Sequence, residues 1–258
     1  MSDLVNELHM GQMEARVYAA AQAMGRAAAD NTAKLLTDAV QRNGHARVII
    51  ATGNSQITFV GALAEHAEIP WDRITAFHMD EYVGLSDAHP ASFRRWIRER
   101  IEAPFHPAAV HYIHGDIPDA EAECSRYEGL LRESPIDLVC MGIGENGHIA
   151  FNDPPVADFR DPTWVKVVRL DEASRRQQVG EGHFPTLEDV PTHAITLTIP
   201  ALLAPQSLQV VVPERRKAEA VRQVASAPVS TACPATILRD QPHAVLFLDA
   251  ESASLLLN

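Results

Sequence analysis

The sequence predicts a single α/β domain with a mostly parallel sheet covered by helices on both faces. Short, continuously apolar segments alternate with helical ones along the whole chain. No Gly/Ser-rich linker and no internal repeat divides it. Its 258 residues, 46% apolar and 22% charged, suit one globular α/β unit.

An Ala-rich, Pro-free segment from Met13 to Val40 has apolar residues at helical spacing and predicts one long helix or two, ended by Asn43-Gly44. Arg47–Ala51 is a short apolar strand, Thr52–Ser55 a turn, and Ile57–His66 a helix. Ile74–Met79 is the next strand. Ser92–Ile101 reads as a basic amphipathic helix with a solvated face, and Val110–Ile113 as a weak strand. Pro118 precedes a helix over Asp119–Arg132, and Asp137–Met141 is again an apolar strand. Pro154, Pro155 and Pro162 make Phe151–Asp161 a loop. Val165–Leu170 is a strand, whereas Asp171–Asp189 has no clear period and is expected to be irregular. Strands at Ala194–Thr198, Leu208–Val212 and Ala244–Leu248 follow, with helices near Arg216–Ala225 and at the C-terminus. Strands alternating with helices imply right-handed crossovers, and ligands in such sheets sit beyond the carboxyl ends of the strands.

Composition narrows the function. A net charge of −12 repels nucleic acid and anionic membranes, and the densest basic stretch is only Arg94–Arg95 with Arg98 and Arg100. No apolar run approaches the roughly 18 residues that span a bilayer. The acidic start MSDLVNELHMGQMEAR lacks the features of a signal peptide. Three scattered cysteines, Cys124, Cys140 and Cys233, fit a reducing compartment. These features predict a cytoplasmic protein with no nucleic-acid or membrane partner.

Three segments, each directly after a predicted strand, carry candidate chemistry. In Ala51-Thr52-Gly53-Asn54-Ser55-Gln56, backbone amides at a helix start and a Ser hydroxyl can bind an anion, and Gly53 lets the chain approach it. The bland alternative is an ordinary helix cap. In Phe77–Leu85 (FHMDEYVGL), Asp80 and Glu81 are adjacent, so at most one faces a pocket; a partly desolvated carboxylate there gains basicity and can take a proton from carbon. Here too the bland alternative is a turn that caps the next element. The third is Met141–Pro154 (MGIGENGHIAFNDP). Gly142, Gly144 and Gly147 satisfy G-x-G-x-x-G, but the prolines downstream break the helix a dinucleotide site needs. The segment instead presents His148 on a glycine turn, with Asp153 placed to orient its ring as an acid–base unit. No G-x-S-x-G and no zinc-spaced His/Cys cluster is present, so a serine nucleophile and metal hydrolysis are disfavoured.

Together, FHMDEYVGL, His89–Phe93 (HPASF), GIGENGHIAFNDP, Val229-Ser230-Thr231 and the surroundings of Lys217 resemble the glucosamine-6-phosphate deaminase family, within the group that contains 6-phosphogluconolactonases. The resemblance covers nearly the whole chain. It implies a Rossmann-like fold, no cofactor, no metal, a small amino-sugar phosphate as partner, and room for a homo-oligomer. The implied reaction turns glucosamine 6-phosphate and water into fructose 6-phosphate and ammonia. By the same resemblance Asp80 is the base that moves a proton between C2 and C1, and His148 opens the sugar ring. Asn146 and Asp153 flank that His. Gly53, Asn54, Ser55 and Lys217 hold the phosphate, with Glu81 and Gly144 completing the expected binding set. The family's phosphate-binding Arg falls at Gly182 here, a departure that leaves either Arg175, Arg176 or Arg216 as a substitute or a substrate with a differently placed or absent phosphate. Lactonase chemistry, galactosamine-6-phosphate deamination and a non-catalytic sugar-phosphate sensor are the alternatives.

Overall fold

The computed structural model describes residues 3–256. Its strands are β1 (Leu4–Met10), β2 (Met13–Tyr18), β3 (Ala46–Ile50), β4 (Ile74–His78), β5 (Asp80–Tyr82), β6 (Ala109–His111), β7 (Leu138–Met141), β8 (Val165–Arg169), β9 (His193–Leu197), β10 (Ser207–Val212) and β11 (Ala244–Asp249). The helices are α1 (Ala21–Asn43), α2 (Ile57–Leu63), α3 (Phe93–Ile97), α4 (Ala103–Phe105), α5 (Ala120–Arg132), α6 (Glu172–Gly180), α7 (Ile199–Leu203) and α8 (Ala218–Ser226).

Eight strands form the main sheet in the order β1-β2-β11-β10-β7-β3-β4-β6. Only β1 runs antiparallel to its neighbour. All five residues of β3 are buried, because both sheet faces are covered, and this is why it is apolar without alternation. Successive side chains still divide between two cores. Val48 and Ile50 join Met24 and Leu36 of α1 and Phe59 of α2, while Ile49 joins Tyr127 of α5 and Val221 of α8 on the other face. From β3 the chain builds outward through β4 to β6, then returns to place β7 on the opposite side of β3. The order therefore reverses between β3 and β7, where a parallel α/β sheet opens a crevice for ligands. Among the described residues no helix is long and apolar enough to cross a membrane.

The expected α/β sheet with helices on both faces is present, but several segments differ from expectation. Met13–Val40 is not all helix: β1 and β2 form a hairpin, and the helix starts at Ala21. Met13, Ala15 and Val17 are fully buried at a spacing of two, a strand period hidden in the Ala-rich run, and β2 completes the sheet against β11. The segments around Val165–Leu170 and Ala194–Thr198 do not join the main sheet. With β5 they form a separate antiparallel sheet, ordered β5-β9-β8. Ser92–Ile101 is not a solvated face, because Phe93, Arg94, Trp96, Ile97 and Ile101 are buried, and the helix loosens into a π turn over Arg98–Glu102. Asp171–Asp189 is not irregular throughout, since α6 occupies its first half. The described C-terminal residues 250–256 are turns rather than a helix.

Candidate functional site

The turns after β3, β4 and β7, the loop after β10 and one side of α6 enclose a cavity beyond the carboxyl ends of the central strands. After β3, Gly53 adopts φ +99°, a left-handed conformation that favours glycine, and brings Thr52, Asn54 and Ser55 to the cavity wall. The Asn54 amide donates to the Glu181 carbonyl (3.4 Å), tying this turn to the end of α6.

After β4, Asp80 and Glu81 point to opposite sides of a strand and meet opposite surroundings. The Asp80 carboxylate lines the cavity, is buried, and accepts no hydrogen bond from the described residues. Burial, reinforced by the neighbouring Glu81 charge, pushes its pKa up to about 8. Its backbone is clamped by His78, whose Nδ1–H donates to the Asp80 carbonyl (2.9 Å) while Nε2 accepts from the Ile113 amide (2.8 Å). Burial drives the His78 pKa down to about 3, so the ring stays neutral and keeps this tautomer. Glu81 faces away from the cavity. It accepts from Ser92 Oγ (2.8 Å), the Arg94 amide (2.9 Å), the Phe93 amide (3.2 Å) and the Tyr82 amide (3.0 Å), and Arg94 Nε lies 3.5 Å off. The structure therefore does not bring Glu81 to the binding wall. Burial raises its pKa, but four donors and a guanidinium hold it as the cap of α3.

After β7, the glycine turn carries His148 over Gly144. A Cβ at position 144 would lie 2.1–2.4 Å from three atoms of the imidazole, so only glycine allows this ring position. No helix follows the glycines until α6, in keeping with the rejection of a dinucleotide fold. Asn146 Oδ1 lies 2.7 Å from His148 Nδ1, and the Asn146 amide donates to Asp153 Oδ1 (2.9 Å). Asp153 Oδ1 is also 3.1 Å from His148 Nδ1. Ser174 of α6 joins the cluster, 3.0 Å from His148 Nδ1 and donating to Asp153. Burial raises the Asp153 carboxyl, but hydrogen bonds from His148, Asn146 and Ser174 outweigh it and hold the pKa at about 2. Three oxygens around Nδ1 keep the proton there and leave Nε2 as the basic nitrogen.

At the other end, Lys217 is 3% exposed and lines the cavity, and its ammonium makes no hydrogen bond or ion pair within 4 Å among the described residues. Burial lowers its pKa. The turn that holds it begins at Glu214, whose φ is +80° and whose amide is bound by the Asp249 carboxylate (3.2 Å). None of the three arginines named from sequence lines the cavity. Arg175 donates to the carbonyls of Leu187 and Val190, Arg176 pairs with Glu172, and Arg216 reaches three carboxylates at the rim. Gly182 is exposed with φ +80°.

Sequence reasoning missed the α6 contribution: Ser174, Gln177, Gln178, Glu181 and the following His183. Ser174 and Gln178, like Gln177 and Glu181, are four apart, so they share a helix face turned to a polar site. Polar residues repeated at that spacing were the available signal.

A family model described as glucosamine-6-phosphate isomerases/6-phosphogluconolactonase matches residues 19–247. A glucosamine-6-phosphate deaminase from Exiguobacterium sp. is 38% identical over 208 residues, which cover 80% of this chain and 78% of that protein. One from Bacillus thuringiensis is 36% identical over 224 residues, covering 86% and 82%. The fold is also similar to a solved monomeric glucosamine-6-phosphate deaminase, with TM-score 0.84, 28% identity, and coverage of 93% of this chain and 99% of that one. A 6-phosphogluconolactonase structure from Shewanella baltica shares the fold at TM-score 0.76 and 18% identity, covering 94% and 99%.

Proposed function

We infer that this chain, which belongs to the family of glucosamine-6-phosphate isomerases and 6-phosphogluconolactonases, is an enzyme that converts glucosamine 6-phosphate and water to fructose 6-phosphate and ammonia. The observation that carries the reading is the Asp80 carboxylate, buried and unpaired in the same cavity as His148. A group with that basicity suits removal of a proton from carbon next to an imine or carbonyl. Lactone hydrolysis takes no proton from carbon, which places the lactonase reading second.

His148 Nε2 takes the proton of the sugar's C1 hydroxyl and returns one to the ring oxygen, which opens the ring. Asn146, Asp153 and Ser174 orient the imidazole and keep its proton on Nδ1. Asp80 then removes the C2 proton and delivers it to C1. The C2–H bond breaks, its electrons form the C1–C2 double bond of an enolamine, and the C1 carbonyl electrons move to oxygen, which takes a proton from the substrate's own ammonium; the new C1–H bond then leaves a protonated imine at C2. Water adds to the imine carbon and ammonia departs. Lys217 and the Gly53–Ser55 turn hold the phosphate. Three buried free thiols suit a reducing compartment, and we place the enzyme in the cytoplasm.

Ammonia release tests this reading. Glucosamine 6-phosphate should yield ammonia and fructose 6-phosphate in equal amounts. Hydrolysis of 6-phosphogluconolactone without ammonia from the amino sugar would replace it with the lactonase reading, and galactosamine 6-phosphate as the better substrate would reassign the sugar.

A further inference from the structure

The phosphate end of the cavity already contains an anion. The Glu181 side chain is 8% exposed and lines the cavity beside Lys217. Its Oε1 accepts from Gln177 (2.8 Å) and lies 3.5 Å from Arg216 Nη1, while Oε2 lies 3.4 Å from His183 Nε2. Arg216 is divided further, with Glu214 2.6 Å from Nε and Glu145 3.8 Å from Nη1. Lys217 and Arg216 thus face three carboxylates, Glu181, Glu145 and Glu214, with His183 beside them. Only Glu181 both lines the cavity and is nearly enclosed. Its ionised form is favoured: burial raises its pKa, but His183, Lys217, Arg216 and Gln177 together lower it.

We propose that Glu181 is a specificity-determining residue, a resident carboxylate that competes with the substrate's terminal phosphate for Lys217 and Arg216 and so weakens the preference for phosphorylated over unphosphorylated amino sugars. A dianion entering this end must share Arg216, already divided among carboxylates, and approach a fixed like charge beside Lys217. A sugar with a neutral terminal hydroxyl meets no such opposition. The gain from a phosphate is therefore smaller than a Lys and an Arg free of carboxylates would give. This inference rests on the deaminase reading for its choice of substrates, but not for its charge argument.

The test compares the full-length protein with Glu181→Gln, which keeps the shape and removes the charge, and Glu181→Asp, which keeps the charge. Ammonia release from glucosamine 6-phosphate and from glucosamine gives the ratio of the two kcat/KM values. Calorimetry gives the affinity for inorganic phosphate. Removing a carboxylate a few ångströms from a bound dianion should raise both the ratio and the phosphate affinity about tenfold or more. Glu181→Asp should stay near the starting protein. A purely structural role for Glu181 would lower both kcat/KM values together and leave the ratio in place. An unchanged or lower ratio, or an unchanged phosphate affinity, overturns the proposal. Glu181→Ala serves the same comparison if the Gln variant does not fold. A starting protein that releases no ammonia from either sugar would instead overturn the assigned reaction, and phosphate affinity would still decide the role of Glu181.

Discussion

Asp80→Asn should make the protein more stable and nearly inactive. The Asp80 carboxyl moves from its ordinary 3.8 to about 8 on folding, through burial and then the Glu81 charge. Its folded pKa is raised, so its contribution favours the fold fully below the unfolded pKa and is lost as pH rises through the folded one. Between about pH 4 and pH 8 the unfolded side chain is ionised while the folded one holds its proton, and stability falls with rising pH by about 1.4 kcal/mol per pH unit. Over the whole window the loss is at most about 6 kcal/mol. Asn carries no proton to lose, so the variant should lose this slope and melt higher at pH 8. Turnover should fall about 10²–10⁴-fold, because the base is gone. The same pKa governs the rate. In the free enzyme about one-tenth of Asp80 is ionised at pH 7 and about one-hundredth at pH 6, so kcat/KM should rise roughly tenfold per unit up to about pH 8. The assays are thermal melts of both proteins from pH 5 to pH 9 and ammonia release over the same range. A variant that melts lower at pH 8, or a kcat/KM of the starting protein that is flat from pH 6 to pH 8, would refute the reasoning.

Gly144→Ala puts a methyl group 2.1–2.4 Å from the His148 ring and must displace it, so kcat should fall about 10²-fold, read by ammonia release. Ser174→Ala removes a donor to Asp153 and a partner of His148 Nδ1. It should slow turnover of the closed-ring sugar by roughly threefold to tenfold, read by ammonia release; unchanged turnover would exclude Ser174 from the relay. Lys217→Ala should raise KM for glucosamine 6-phosphate at least about tenfold with a smaller effect on kcat, and equal losses for glucosamine would place Lys217 away from the phosphate.

The sheet was legible because burial on both faces writes itself as short apolar runs, as in Arg47–Ala51 and Asp137–Met141. The turns after β3, β4 and β7 were legible because they directly follow such runs, at the sheet edge where ligands bind, although Glu81 serves there as a cap. What escaped was whatever is stabilised by partners distant in sequence. The β1–β2 hairpin depends on β11, more than 200 residues away, and alanine conceals a period of two within one of 3.6. Helix α6 escaped because its inward face is polar: Ser174 and Gln178 are buried against the site rather than in the core, so no apolar period marks them. The second sheet escaped because an antiparallel pair and a parallel one read alike when both are buried.

Asp80 and Glu81 show how a single step along a strand separates function from support. Neighbouring strand residues point to opposite faces. Glu81 meets four hydrogen-bond donors and the Arg94 guanidinium, and it fixes α3 and through it Phe93 in the cavity wall. Phe93, Tyr82 and Phe151 then pack together, with the Tyr82 ring tilted 5.0 Å from Phe93 and 5.5 Å from Phe151, joining the turn that bears Asp80 to the segment that bears His148. The Asp80 carboxylate accepts no hydrogen bond among the described residues. Its desolvation is tolerable because the satisfied Glu81 beside it anchors the strand, and the His78 clamp fixes the carbonyl of Asp80 itself. The Asp80 carboxyl is raised because burial leaves it without a donor among the described residues, and the turn that carries it stays in place because Glu81 and His78 are both paired.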